Sequence, residues 1–168
     1  GMVNANFAAV SYSSTSASVF TLTTPKQTAI DAIDGLTSDT ATEPNMNSAL
    51  VDCKAILDGS SAADKLLILI TTSKFAGTEH PLYMAETIKA SGINIITVAG
   101  GSEPDVELGQ LAYMATPMSA DVTVRHLYRA NTVGELDLLS HAVLAATCDT
   151  GAFGTVPADT CDAATKTV

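Results

Sequence analysis

Positive charge is what this chain has least of: eight Lys and Arg stand against eighteen Asp and Glu in 168 residues, a formal net charge of −10. That balance repels phosphate backbones, and the few basic residues never cluster, which argues against nucleic acid and anionic membrane surfaces as partners. No apolar run approaches the roughly eighteen residues a membrane-crossing helix needs, so no membrane insertion is expected. Three cysteines are too few for a disulfide scaffold. Neither their spacing nor that of His80, His126 and His141 offers zinc a pair of ligands at short separation. There is no Gly-x-Gly-x-x-Gly after a strand, no Walker loop and no Gly-x-Ser-x-Gly elbow, so no cofactor or nucleophile motif is present.

What the chain does have is apolar residues in short runs. With 46% apolar and 15% charged residues it reads as a compact globule rather than a disordered chain, and its length suits one domain. Lys65-Leu66-Leu67-Ile68-Leu69-Ile70-Thr71-Thr72-Ser73 is an unbroken apolar run with a polar stop. Lacking alternation, it predicts a parallel strand buried on both faces in the middle of a sheet. A second such run, Ile93 to Val98, follows a helical pattern that ends at Gly92, which makes a strand-helix-strand unit with a right-handed crossover. In open parallel sheets function gathers at the carboxyl ends of the strands, here Thr71 to Ser73 and Gly100 to Ser102. The N–H groups of Gly100-Gly101-Ser102 suit an anion, but Glu103 and Asp105 would repel one, and plain turn geometry explains the paired glycines.

The remaining elements follow from local signals. Ala5 to Ser14 and Ala17 to Thr23 predict a hairpin with a polar Ser/Thr turn. Thr24-Pro25-Lys26-Gln27 supplies an N-cap, a proline at the first helical position and a glutamine three residues after the cap, predicting a helix through Ile30 and Ile33 to about Gly35. Thr37 to Asn47 has no period and predicts a loop, followed by a helix with Leu50, Cys53, Ile56 and Leu57 on one face. Further helices are expected over Pro81 to Ala90, Asp105 to Met114 and Val133 to Cys148, with a last strand over Val122 to Leu127. On the Pro81 helix, Leu82, Ala85 and Ile88 form one apolar stripe. Arg125 and Arg129 flank His126 in what reads as a solvated face. Residues 149–168 read as an irregular tail.

Several strings in this order resemble the von Willebrand factor type A domain. Val10-Ser11-Tyr12-Ser13-Ser14 and Ala17-Ser18-Val19-Phe20-Thr21-Leu22 resemble its second and third strands. Asn47-Ser48-Ala49-Leu50 resembles the start of the helix after its threonine loop, and Leu67 to Ser73 its fourth strand. Ile88-Lys89-Ala90-Ser91-Gly92-Ile93 resembles the next helix-to-strand passage and Glu135 to Cys148 its closing helix. The resemblance implies an α/β fold with an open, mostly parallel, doubly wound sheet, helices on both faces and an N-terminal hairpin. It spans residues 1–148 with the tail outside it, and implies an extracellular, secreted setting.

The departures from that family bear on metal binding. The family opens with an apolar strand ending in Asp-x-Ser-x-Ser, and this sequence reads as beginning at the second strand. The family's threonine ligand falls on Pro44 and the aspartate after its fourth strand on Thr72. Thr42, Asn45, Asn47, Thr72 and Ser73 then offer neutral oxygens only, with Asp39 and Glu43 on the neighbouring loop, whereas a hard cation favours carboxylate charge. No metal and no other cofactor is expected; the binding rim would be Thr42, Asn45, Asn47, Thr72, Ser73, Gly101 and Ser102. A missing first strand would leave an open edge, and a homodimer through that edge is expected.

Among the cysteines, Cys53 lies on an apolar stripe and reads as a buried, unreactive thiol. Cys148 and Cys161 bracket a short loop containing Gly151 and Gly154 and can either bridge each other or stay unpaired; in similar extracellular domains a closing-helix cysteine also pairs with one upstream. Two function classes remain. One is a non-catalytic adhesion module recognising another protein or matrix component. The other is a small ligand-binding or enzymatic domain of another doubly wound, flavodoxin-like fold that uses the strand-end crevice.

Overall fold

A computed structural model describes residues 6–23, 25–37, 44–74, 80–100, 107–117, 125–132, 135, 139–140 and 142–143. The chain divides into two compact units, Gly1–Ala62 with Phe75–Met84, and Ala63–Lys74 with Ala85–Val168.

In the first unit β1 (Phe7–Tyr12) and β2 (Ser16–Thr23) form an antiparallel hairpin around the turn Ser13-Ser14-Thr15, with Tyr12 opposite Ser16. The register shifts between Phe7 and Val10, so the far end of the hairpin is irregular. Two helices pack on it, α1 (Lys26–Asp34) and α2 (Met46–Asp58). The α1 helix starts one residue later than its sequence predicts: Pro25 occupies the cap position with extended backbone and gives no side-chain cap bond. A proline side chain has no oxygen to accept from the first free N–H groups, and Thr24 lies outside the described residues. Ala29 is buried, whereas Ile30 and Ile33 are exposed, so α1 turns its smallest apolar residue to the hairpin. By contrast α2 has a made cap, Asn45 Oδ1 accepting from the Ser48 N–H at 3.0 Å. Its Met46, Ala49 and Leu50 are buried; Cys53, Ile56 and Leu57 are half-buried, on the face the sequence assigned inward.

The second unit holds the parallel sheet, in the order β3 (Leu66–Thr71), β4 (Asn94–Gly100), β5 (Leu127–Ala130). Ile68 pairs with Ile96 and Ile70 with Val98, while Val98 pairs in turn with Tyr128. The α3 helix (Pro81–Ala90) connects β3 to β4, with Ala85 and Ile88 fully buried. It closes at Gly92, whose φ of 79° is open to glycine at no steric cost. The Gly92 N–H reaches the Lys89 carbonyl at 2.9 Å and the Ile93 N–H that of Ile88 at 3.3 Å, a Schellman closure. The α4 helix (Leu108–Met114) is anchored where the hydroxyl of buried Thr97 donates to the Leu111 carbonyl at 3.2 Å.

Three expectations need correction here. β4 is buried from Ile95 to Gly100 as a central parallel strand requires, but β3 is not buried on both faces. Leu67, Leu69 and Thr71 are buried, whereas Ile68 and Ile70 are 44% and 58% exposed. The reason is position: among the described residues β3 pairs with β4 alone and stands at the sheet's edge. On the same face Leu139 and Val143 of the closing helical segment, with Leu66 and Tyr128, cover Ile96 and Val98. The last strand is Leu127–Ala130 rather than Val122 to Leu127, because Arg125 is taken up in an isolated bridge to Pro117 and His126 bends the chain. His126 itself is buried at 2% exposure rather than solvated, since its backbone serves the sheet: its carbonyl accepts from the Thr97 N–H at 2.9 Å and its N–H reaches the Thr116 carbonyl at 3.1 Å.

Candidate functional site

At the C-terminal end of β3 the chain turns away from the sheet through a local hydroxyl bond, Thr71 Oγ1 donating to the Ser73 carbonyl at 3.1 Å. Thr71 is buried, Thr72 exposed and Ser73 half-buried, so the turn presents the Thr72 hydroxyl outward. Gly100 ends the neighbouring β4, and a Cβ there would come 3.2 Å from Thr72 Cγ2. The two strand ends therefore approach closely, and glycine at 100 keeps Thr72 in place. Gly101 and Ser102, the other strand-end candidates, lie outside the described residues.

The remaining described candidates stand in the first unit, at the start of α2. The Asn45 carboxamide is engaged twice over: its Oδ1 caps Ser48 and its backbone N–H donates to the Ser13 carbonyl at 2.6 Å. That pair of bonds ties the loop before α2 to the hairpin turn. Asn47 is half-buried in the helix's first turn, and Pro44 stands just before the cap. Thr42, Asp39, Glu43, Cys148 and Cys161 lie outside the described residues. Both groups of residues offer hydroxyl and amide atoms and no charge. Among the described residues no cluster of His, Cys, Asp and Glu is placed to hold a metal ion.

One polar cluster escaped the sequence reading. Ser16 Oγ, at the start of β2, donates to Asp52 Oδ2 at 2.5 Å and lies 2.6 Å from Ser48 Oγ. The available signal was the spacing of Ser48 and Asp52, four residues apart on one helix face; nothing local marks Ser16, thirty-two residues before Ser48 in the chain. Beside this cluster the Cys53 thiol is pushed up to about 11, by burial first and then by the Asp52 charge, so it stays protonated at neutral pH. The thiol is half-buried rather than enclosed, because α2 covers only a two-stranded hairpin at this level.

Comparison with known proteins places this geometry. The sequence model of one family, the von Willebrand factor type A domain, matches residues 1–141. No curated protein sequence matches the chain. Among solved structures, proximal thread matrix protein 1 from the mussel byssus superposes with a TM-score of 0.76 at 20% identity, over 88% of this chain and 37% of that one. A further structure of that mussel protein has its MIDAS motif occupied by zinc. The SpRpn10 VWA domain matches with a TM-score of 0.62 at 15% identity, over 82% of this chain and 71% of that one. BatB from Bacteroides thetaiotaomicron gives 0.62 at 12% identity, over 85% and 80%. The chain thus spans little more than a third of the byssus protein, and at these identities the likeness is one of fold.

Proposed function

The chain belongs to the von Willebrand factor type A family, and from that premise we propose that it is a non-catalytic module, extracellular, that recognises another protein or a matrix component without a bound metal. Domains of this family are in general binding modules, which favours recognition over catalysis and sets the flavodoxin-like reading aside. The observation that carries the metal-free part is the neutral donor set: Thr72 and Ser73 after β3, and Asn45 and Asn47 at the start of α2, supply hydroxyl and amide oxygens without carboxylate charge. Divalent hard cations dehydrate for carboxylates and not for isolated hydroxyls, so these groups are better suited to a partner's peptide bonds and polar side chains. Asn45 in particular already gives its side-chain oxygen to the helix. The byssus protein resembling this chain is a thread matrix protein, which supports a matrix setting, while its zinc-occupied MIDAS motif shows the alternative that the present donor set argues against. A second copy of the chain is also among the partners proposed.

The test is binding to an array of immobilised extracellular-matrix proteins, run in parallel with excess EDTA and with added Mg²⁺ or Zn²⁺. Binding that survives EDTA and weakens in Thr72→Ala and Ser73→Ala supports the proposal. Binding abolished by EDTA overturns its metal-free part, and no binding to any matrix component overturns the matrix partner.

A further inference from the structure

Among the described residues β3 has one neighbour in its sheet, and its outer edge carries a row of backbone groups with no described strand beside them. Proteins guard such edges with charge, proline or bulges inside the strand. Leu66-Leu67-Ile68-Leu69-Ile70-Thr71 contains none of these, and Ile68 and Ile70 stand exposed on one face. The charges come immediately outside it: Asp64 and Lys74 are both exposed, five residues to either side of Leu69. Neither is used in an ion pair among the described residues.

We propose that this edge is a self-recognition surface, with β3 of one molecule pairing antiparallel to β3 of a second copy about a two-fold axis at Leu69. In that register Ile68 lies opposite Ile70 of the second copy and Asp64 opposite its Lys74, each contact occurring twice. Residues directly opposite in an antiparallel pair share a face, so the exposed isoleucines of both copies form one apolar strip. A slip of one residue sets Ile68 against Leu69 and turns the exposed face of one copy to the buried face of the other. A slip of two residues separates Asp64 from Lys74. The charge pattern and the apolar pattern therefore select the same register. An isologous contact of this kind closes at two copies, which is how an unguarded edge avoids open-ended stacking. The net charge of −10 on each copy opposes association, and at about 0.15 M salt that long-range repulsion is screened beyond ~8 Å, leaving the short Asp–Lys contacts. The dimer does not depend on the matrix-recognition reading, and either can fail alone.

Sedimentation velocity of the chain at physiological salt, from about 1 to 200 µM, spans the affinities reached by small interfaces. The expected result is a monomer–dimer equilibrium. Lys74→Glu and Asp64→Lys, both surface changes that leave the core untouched, should each weaken it about tenfold, since each reversal makes two like-charge contacts. The double variant carrying both should recover the original affinity, and Ile70→Lys, checked by circular dichroism to be folded, should remove the dimer. A monomer at every concentration overturns the proposal. So does a dimer that the single reversals leave unchanged or that the double variant fails to restore, because it would use another surface.

Discussion

Ser16 Oγ donates to Asp52 Oδ2 at 2.5 Å, joining the first residue of β2 to the middle of α2 across thirty-six positions of sequence. A two-stranded hairpin alone is marginal in water, so what fixes this one is its attachment to helices. The attachment is polar at one end, through Ser16, Ser48, Asp52 and the Asn45-to-Ser13 bond, and apolar at the other through Met46, Ala49 and Leu50.

Removing either partner of that bond should loosen the hairpin. Asp52→Ala leaves a part-buried serine hydroxyl without its charged acceptor, and the expected loss is about 1–3 kcal/mol, the range for hydrogen bonds to charged groups. Ser16→Ala should cost less, because the aspartate regains water. Urea unfolding of both single variants and the double variant gives the coupling directly, and a value under about 0.5 kcal/mol would mean that the bond adds nothing beyond its separate parts.

The neutral rim leads to a second expected outcome, in calorimetry. Titration with Mg²⁺, Mn²⁺ or Zn²⁺ should show no site tighter than about millimolar, the weak end of protein cation sites. A micromolar isotherm that disappears in Thr72→Ala would establish a metal centre at the end of β3.

How much of this was legible in the sequence depends on the range of the forces involved. The α3 helix appears at its expected bounds, Pro81–Ala90, because a proline at its first position and a glycine past its end are local signals. The hairpin strands and the inward placement of Leu139 and Val143 were likewise readable from pattern. The exposure of Ile68 and Ile70 was not, since an apolar run records a strand's composition and not how many neighbours it has. His126 was misjudged for the same reason: two flanking arginines suggested solvent, whereas its burial is decided by Thr97 and Thr116, distant in the chain. For the rim, residue types gave the chemistry, but that Asn45 is committed to a helix cap is a matter of geometry.

Gly92 offers a sharp test of the α3 closure. Its φ of 79° disfavours any residue with a Cβ, although no atom lies within 4 Å of where that Cβ would stand. The cost is thus backbone strain without a clash, and Gly92→Ala should destabilise by about 1 kcal/mol. Asn tolerates this region better than Ala, so Gly92→Asn should lose less. Equal losses in thermal unfolding would point to something other than backbone conformation.

Cys53 ties stability to alkaline pH. Burial, then the Asp52 charge, holds the folded thiol at about 11, above its ordinary value. A folded value raised above the unfolded one means that the unfolded chain loses its proton first, so stability is full below the unfolded value, near 8.5, and falls as pH rises toward 11. The part due to this thiol is at most about 3 kcal/mol, taking ~1.4 kcal/mol for each pH unit of separation. Cys53→Ala removes the titration and should flatten the decline between pH 8.5 and 11, measured by urea unfolding at each pH in reducing buffer. The same burial predicts slow alkylation: at pH 8 native Cys53 should react with iodoacetamide at least tenfold more slowly than in urea, as read by peptide mapping. Labelling at equal rates, or an alkaline decline that persists in Cys53→Ala, would show that α2 does not hold this thiol against the hairpin.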